Sequence, residues 1–163
     1  MFFALWPDPD IRRAIIERRR AIDGLASRRV PDANLHATLV FLGDQPGALV
    51  DRLRQVPAVA SVAPFTLRLE RFGWFARARV AWLGGPPVPP GRALVGWLAD
   101  LADSHGVALD RRRWVPHVTL FRNVRRRPTL PRPSPLDWLI GTYSLVESIP
   151  NRRYQVLRTW HLE

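Results

Sequence analysis

The sequence predicts an α+β protein with mainly antiparallel strands, one domain over residues 1–163 made of two similar halves. Three observations carry this expectation. Runs with strand-like alternation and runs with helical spacing alternate within each half. A tetrapeptide pattern, H-x-T-L, occurs once per half, as His36-Ala37-Thr38-Leu39 and His117-Val118-Thr119-Leu120. Hydrophobic residues make up 47% of the 163-residue chain, enough for a sizeable core.

Phe2–Trp6 reads as a first strand: it is apolar, it stops at Pro7, and it lacks the basic region of a signal peptide. Asp8 or Asp10 can cap a following helix, with Pro9 near its first turn. Ile11, Ala14, Ile15, Ile16, Ile22 and Leu25 recur at helical spacing, and Gly24 marks the end. The arginines at 12, 13, 18, 19 and 20 are expected on its solvated face. Leu35–Leu42 is a strand ended by Gly43-Asp44, and a short helix around Ala48–Val56 stops at Pro57. Phe65–Phe72 alternates, with Phe65, Leu67 and Leu69 on one side and Thr66, Arg68 and Glu70 on the other. Val80–Leu83 is a strand broken by Gly84-Gly85-Pro86-Pro87. Arg92–Ser104 is an amphipathic helix with Gly106 placed as its terminator. Trp114–Phe121, Leu136–Val146 and Tyr154–Leu162 supply further strands, the last two separated by a turn near Pro150-Asn151. Arg125–Pro135, rich in Arg and Pro, is a loop or lid.

Composition narrows the function classes. No apolar run approaches the ~20 residues of a membrane span. Cysteine is absent, which removes disulfides and thiolate metal sites. A cytoplasmic monomer without cofactor is expected. The formal charge is +11, and every basic residue is arginine. A GC-rich genome accounts for arginine in place of lysine, but not for the excess over acids. That excess attracts polyanions, and the guanidinium fork matches phosphate oxygens. Arg111–Arg113 and Arg125–Arg127 bracket the second motif.

The repeated motif carries the chemistry. In a strand, residues i and i+2 face one side. His36, Thr38, His117 and Thr119 would then share an open face, while Ala37, Leu39, Val118 and Leu120 are buried. Two imidazoles can move protons near neutral pH, one from water and one to a leaving oxygen. Hydroxyls can donate to phosphate oxygens whose charge changes in the transition state. Two histidines with no cysteine and no partnered carboxylate are a thin set for zinc, so no metal is expected. His105, at a helix end, and His161, near the terminus, read as structural or solvent-facing.

These residues resemble the two-histidine (2H) phosphoesterase superfamily, and within it the RNA 2′,3′-cyclic phosphodiesterase or 2′-5′ RNA ligase-like branch. Asn34-Leu35-His36-Ala37-Thr38-Leu39-Val40-Phe41-Leu42-Gly43 is similar to the family's first motif with its trailing F-L-G. Pro116-His117-Val118-Thr119-Leu120-Phe121-Arg122 is similar to its P-H-x-T-L-x-R. Ala37 departs from the larger apolar residue common there. Phe2–Leu5, Phe72–Phe75 with Val80–Gly84, and Leu145–Ser148 with Tyr154 and Trp160 extend the likeness over nearly the whole chain.

The resemblance implies a bilobal fold, two antiparallel sheets flanking a central cleft with helices outside. It implies hydrolysis of RNA 2′,3′-cyclic phosphate ends to 2′-phosphates. His36 would be the proton donor and His117 the proton acceptor, with Thr38, Thr119 and Arg122 on the phosphate. Partners would be RNA ends or cyclic nucleotides. Ligation at the same site, or nucleotide binding without turnover, remain as alternatives. Strict alternation sets Arg122 on the face opposite His117, so the strand must end, twist or bulge for Arg122 to reach the cleft. Phe41 has the same parity and belongs either to the core or to the cleft rim against a base.

Overall fold

The computed structural model describes residues 1–25, 27–58, 62–109, 113–149 and 154–163. It opens with β1 (Phe2–Leu5), all four residues buried. Asp8 accepts from the backbone N–H groups of Asp10 and Ile11 and so caps α1 (Pro9–Arg19). A 3₁₀ turn, Arg20–Ile22, prolongs that helix. Two residues are too few to show a period, so β2 (Arg28–Arg29) has no signal in the sequence. Then come β3 (Ala37–Phe41), α2 (Gly47–Gln55), β4 (Phe65–Leu69), β5 (Arg71–Phe75), β6 (Val80–Gly84) and α3 (Pro89–Ser104). Gly106, with φ +80°, supplies the left-handed residue that ends α3. The chain closes with β7 (His117–Arg122), β8 (Leu136–Ile140), β9 (Thr142–Glu147) and β10 (Gln155–His161).

Every strand pairing is antiparallel. An eight-stranded sheet runs β10-β9-β1-β3-β7-β6-β5, with β2 added to β7, and β4 and β8 form a separate two-stranded sheet. The motif strands β3 and β7 share one register pair, Ala37 with Val118. The large sheet is therefore two wings, β10-β9-β1-β3 and β7-β6-β5, that touch at a narrow seam. Beyond it the wings part, and β2 fills the opening beside β7, with Arg28 opposite Arg122 and Arg29 opposite Phe121. The α+β antiparallel expectation holds. The main core gathers Ile15, Leu53, Leu94 and Leu98 from the helices with Leu5, Leu67, Leu83, Val118 and Leu145 from the sheets. Among the described residues, no helix is long and apolar enough to cross a membrane.

Two expected strands are each two. Phe65–Phe72 breaks at Glu70 into β4 and β5, and Leu136–Val146 breaks at Gly141 into β8 and β9. Each break sends one piece to the small sheet and the other to the large one. Two residues that are not buried, Glu70 with Arg71 and Gly141 with Thr142, separate Leu69 from Phe72 and Ile140 from Tyr143, but apolar residues resume directly beyond, so the sequence reads as one run. The first corner demands a close approach: a Cβ on Gly85 would lie 1.7 Å from the Arg68 carbonyl oxygen. The turn near Pro150-Asn151 and Arg111 with Arg112 lie outside the described residues.

The arginines of α1 also depart from expectation. Arg19 is only 2% exposed, not solvated. It donates to the Val30 carbonyl at 3.1 Å and to Asp32 Oδ1 at 2.6 Å. The chain folds back across this turn of the helix, and the guanidinium holds the returning backbone. Arg12 reaches the carbonyls of Asp32 and Pro7, and Arg18 those of Ser134 and Pro135. Arg13 and Arg20 are exposed as expected. Removing a buried charge from its partner typically costs ~3–5 kcal/mol. Asp32 stays half exposed and can rehydrate, so Arg19→Ala should cost about 2–3 kcal/mol. Urea unfolding should show a lower midpoint at unchanged slope; an unchanged midpoint would contradict the role given to Arg19.

Candidate active site

The site forms on one face of the seam. Ala37 and Val118 turn fully buried side chains to the core. Their chain neighbours His36, Thr38, His117 and Thr119 are half-buried on the other face. Residues opposite one another in a ladder share a face. Two imidazoles and two hydroxyls thus surround the Ala37–Val118 pair. The Trp114 indole N–H adds a second tie across the seam, donating to the Thr38 carbonyl at 3.0 Å.

Both motif strands carry a β-bulge at the leucine of H-x-T-L. Between β1 and β3 the register passes from Phe3↔Val40 to Ala4↔Thr38, skipping Leu39. Between β6 and β7 it passes from Ala81↔Phe121 to Trp82↔Thr119, skipping Leu120. An extra residue reverses the alternation beyond it. Leu39 and Val40 are accordingly both buried, as are Leu120 and Phe121. The fifth residue after each histidine returns to the histidine face. In the first wing that residue is Phe41, 70% exposed, so the core alternative for Phe41 fails. In the second it is Arg122, brought round by the bulge that parity required.

Each imidazole is held the same way. His36 Nδ1 donates to the Asn34 carbonyl at 2.7 Å, and His117 Nδ1 to the Val115 carbonyl at 2.7 Å. Carbonyls only accept, so both neutral rings carry the proton on Nδ1 and leave Nε2 as the acceptor. The Thr38 hydroxyl lies 3.1 Å from His36 Nε2 and can donate to it. Aromatic rings fix both orientations. Phe2 and Trp6 stack on His36 at 4.8 and 5.6 Å, and Tyr154 meets its edge at 5.4 Å. Phe75 meets His117 edge-on at 5.0 Å, with Trp82 at 5.9 Å. Trp82 itself lies over Gly73, where a Cβ would come within 2.1 Å of the indole. Arg71 covers Trp82, and Arg12 covers Trp6.

Burial disfavours the charged imidazole and pushes His36 down to about 4, with the charges of Arg122, His117 and Arg12 acting in the same direction against the Asn34 hydrogen bond. Burial likewise lowers His117, against its bond to Val115. Both rings are neutral in the free protein at pH 7. Among the described residues, no group of three or more His, Asp or Glu side chains is arranged to hold a metal ion.

His105 Nδ1 donates to the Leu101 carbonyl at 2.9 Å at the end of α3, and His161 is exposed. Sequence reasoning missed the aromatic walls. Phe2 and Trp6 do have the spacing of a common strand face. Only the pairing of β1 with β3 reveals what they face.

Comparison with known proteins agrees with the geometry. A family model described as the 2′-5′ RNA ligase superfamily matches residues 7–143. The RNA 2′,3′-cyclic phosphodiesterase of Escherichia coli (strain K12) is 32% identical over 169 residues, covering 99% of this chain and 96% of that protein. The protein of the same description from Thermus thermophilus is 28% identical over 167 residues, covering 91% of this chain and 81% of that one. The crystal structure of E. coli LigT complexed with 3′-AMP matches with a TM-score of 0.85 at 30% identity, covering 99% of this chain and 96% of that one.

The depressed value of His36 makes stability depend on pH. Its folded-state value lies below that of an unfolded histidine, so the folded protein binds this proton more weakly. The contribution is fully present above about 6.5 and is lost as pH falls through about 4. It amounts to about 3 kcal/mol. His36→Gln should flatten this part of the stability–pH curve measured by urea unfolding; an unchanged curve would contradict the burial assigned to the ring.

Proposed function

This chain belongs to the 2′-5′ RNA ligase superfamily, and from that premise we propose that it is a hydrolase opening RNA 2′,3′-cyclic phosphate ends to 2′-phosphates. His36 and His117 act as the acid–base pair, and no metal takes part. The reading is supported above all by the matched placement of the two histidines beside the Ala37–Val118 seam. The E. coli relative is described as an RNA 2′,3′-cyclic phosphodiesterase, and the similar structure of E. coli LigT holds 3′-AMP.

In this mechanism His117 Nε2 takes a proton from water as its oxygen bonds to phosphorus. The bond from phosphorus to O3′ breaks, and His36 gives its proton to O3′. Thr38 and Thr119 donate to non-bridging oxygens, and Arg122 balances their charge. Phe41 stands at the rim, where a base can stack. His36 is neutral in the free protein, so it must take up a proton from solvent as substrate binds. A bound phosphodiester anion offsets Arg122, and the Phe2 and Trp6 faces favour the imidazolium. The two wings are then the pseudo-symmetric lobes of one domain, working as a cytoplasmic monomer.

The direct test is product mapping on an oligonucleotide ending in 2′,3′-cyclic phosphate, with chelator present. A 2′-phosphate product is expected; a 3′-phosphate product, or activity lost to chelator and restored by a divalent ion, would overturn the reading.

His36→Ala and His117→Ala should each lower single-turnover rates by ~10²–10⁴ while circular dichroism stays native. Thr38→Val and Thr119→Val should be milder. The pH profile of kcat/KM reports the free enzyme, where His36 titrates at about 4 and His117 below 6.5. It should peak on the acid side of 6.5, whereas kcat, governed by the substrate-bound form, should peak at higher pH. Arg122→Gln removes a cation that lowers His36, so its kcat/KM optimum should move upward as binding weakens. A folded histidine variant with near wild-type rate, or coincident kcat and kcat/KM profiles, would refute the scheme.

A further inference from the structure

The doublet Arg28-Arg29 is divided by its two-residue strand. Arg29 turns away from the cleft and pairs with Asp23 at 2.9 Å. Arg28 is exposed and lies directly opposite Arg122 in the β2–β7 ladder. Partners in such a ladder share a face and lie ~4.5–5.5 Å apart at Cα. Arg28 therefore stands on the same face as His117, Thr119 and Arg122. Among the described residues, neither Arg28 nor Arg122 has a carboxylate within ion-pair distance. Like charges directly opposite on a sheet destabilise it, so this pair opposes folding unless an anion lies between or beside the guanidiniums.

The surroundings hold this arrangement firmly. Val30 N–H donates to the Leu120 carbonyl at 2.9 Å, within the β7 bulge itself. Arg19 grips Val30 and Asp32 from behind. A two-residue strand is thus pinned on both sides beside β7. Along the cleft face, Phe41 marks the end beyond Thr38, the histidine–threonine quartet lies in the middle, and Arg28 with Arg122 marks the other end. The cleft is apolar at one end and doubly cationic at the other.

We propose that Arg28, beside Arg122, forms a second phosphate subsite that takes the backbone phosphate immediately 5′ of the cyclic end. This rests on the phosphodiesterase reading and narrows it: the preferred substrate is an RNA oligonucleotide end, not a cyclic mononucleotide. Arg122 meets the reacting phosphate, and Arg28 meets its neighbour. Arginine suits both tasks because its fork binds a phosphate through two parallel hydrogen bonds.

The test compares two dinucleotides ending in 2′,3′-cyclic phosphate, one with an ordinary internucleotide phosphate and one with an uncharged methylphosphonate there. The upstream sugar is 2′-deoxy in both, so that the linkage is stable. Wild-type protein should favour the charged linkage in kcat/KM by about tenfold, the order expected of a hydrogen bond between charged groups. Arg28→Gln should bring that ratio below about twofold, and Arg28→Lys should give an intermediate one. The salt dependence of oligonucleotide binding by Arg28→Gln should also fall by about 0.7–0.9 in log–log slope, the share of one phosphate contact. A wild-type ratio near one, or the wild-type ratio retained in Arg28→Gln and Arg28→Lys, overturns the inference while leaving the parent reading standing. Wild-type protein that opens neither dinucleotide sinks both.

Discussion

The molecule is organised by one backbone contact, the pairing of Ala37 with Val118. Two antiparallel strands that share a single register pair must diverge on either side of it, and a cleft opens where the ladder stops. The contact could not carry this alone. Trp114 reaches back to the Thr38 carbonyl, and its ring rests on α3 over Gly91, where a Cβ would lie 2.7 Å away. The helix, the indole and the strand pair thus fix the distance between the wings together. A side chain at position 91 would push on the indole and so disturb the seam from the far side of the sheet.

The bulges give the two half-sites unequal characters from a common plan. Each motif strand slips by one residue at the same leucine, so each returns its fifth residue to the histidine face. Arg122 in one wing and Phe41 in the other are related by that rule, yet one brings charge and the other an aromatic surface. The charge acts mostly on the opposite wing, since Arg122 lowers His36 and is not among the causes that act on His117. A nearly symmetric backbone thereby holds two histidines of one type in distinct electrostatic settings. That difference is what acid–base catalysis by a pair requires.

Much of this was legible in the chain itself. The alternation of His36, Ala37, Thr38 and Leu39 settled the buried and open faces, and the repeat at His117 announced a partner. The parity conflict at Arg122 was itself informative, because it demanded an irregularity that the strand contains. Other features are invisible to period. Glu70 and Gly141 turn corners between sheets, with apolar residues resuming so soon beyond each that the run reads as one strand. Arg19 looks like its exposed neighbour Arg20, and only the returning segment at Val30–Asp32 buries it. Phe2, Trp6, Phe75 and Trp82 surround the histidines through cross-strand neighbourhood, which one-dimensional spacing does not contain.

The indole of Trp82 lying over bare backbone at Gly73 has a consequence for how such a protein can diverge. With 2.1 Å between the ring and the place of a Cβ, neither position can change freely while the other stays. A side chain gained at 73 displaces the indole, and with it one wall against His117 and the surface beneath Arg71. An indole lost at 82 leaves a bare strip of β5 that a new side chain at 73 would fill. The two positions are therefore expected to drift as a couple, and an alignment of relatives should show them covarying across a hairpin although 73 contributes no side-chain atom at all.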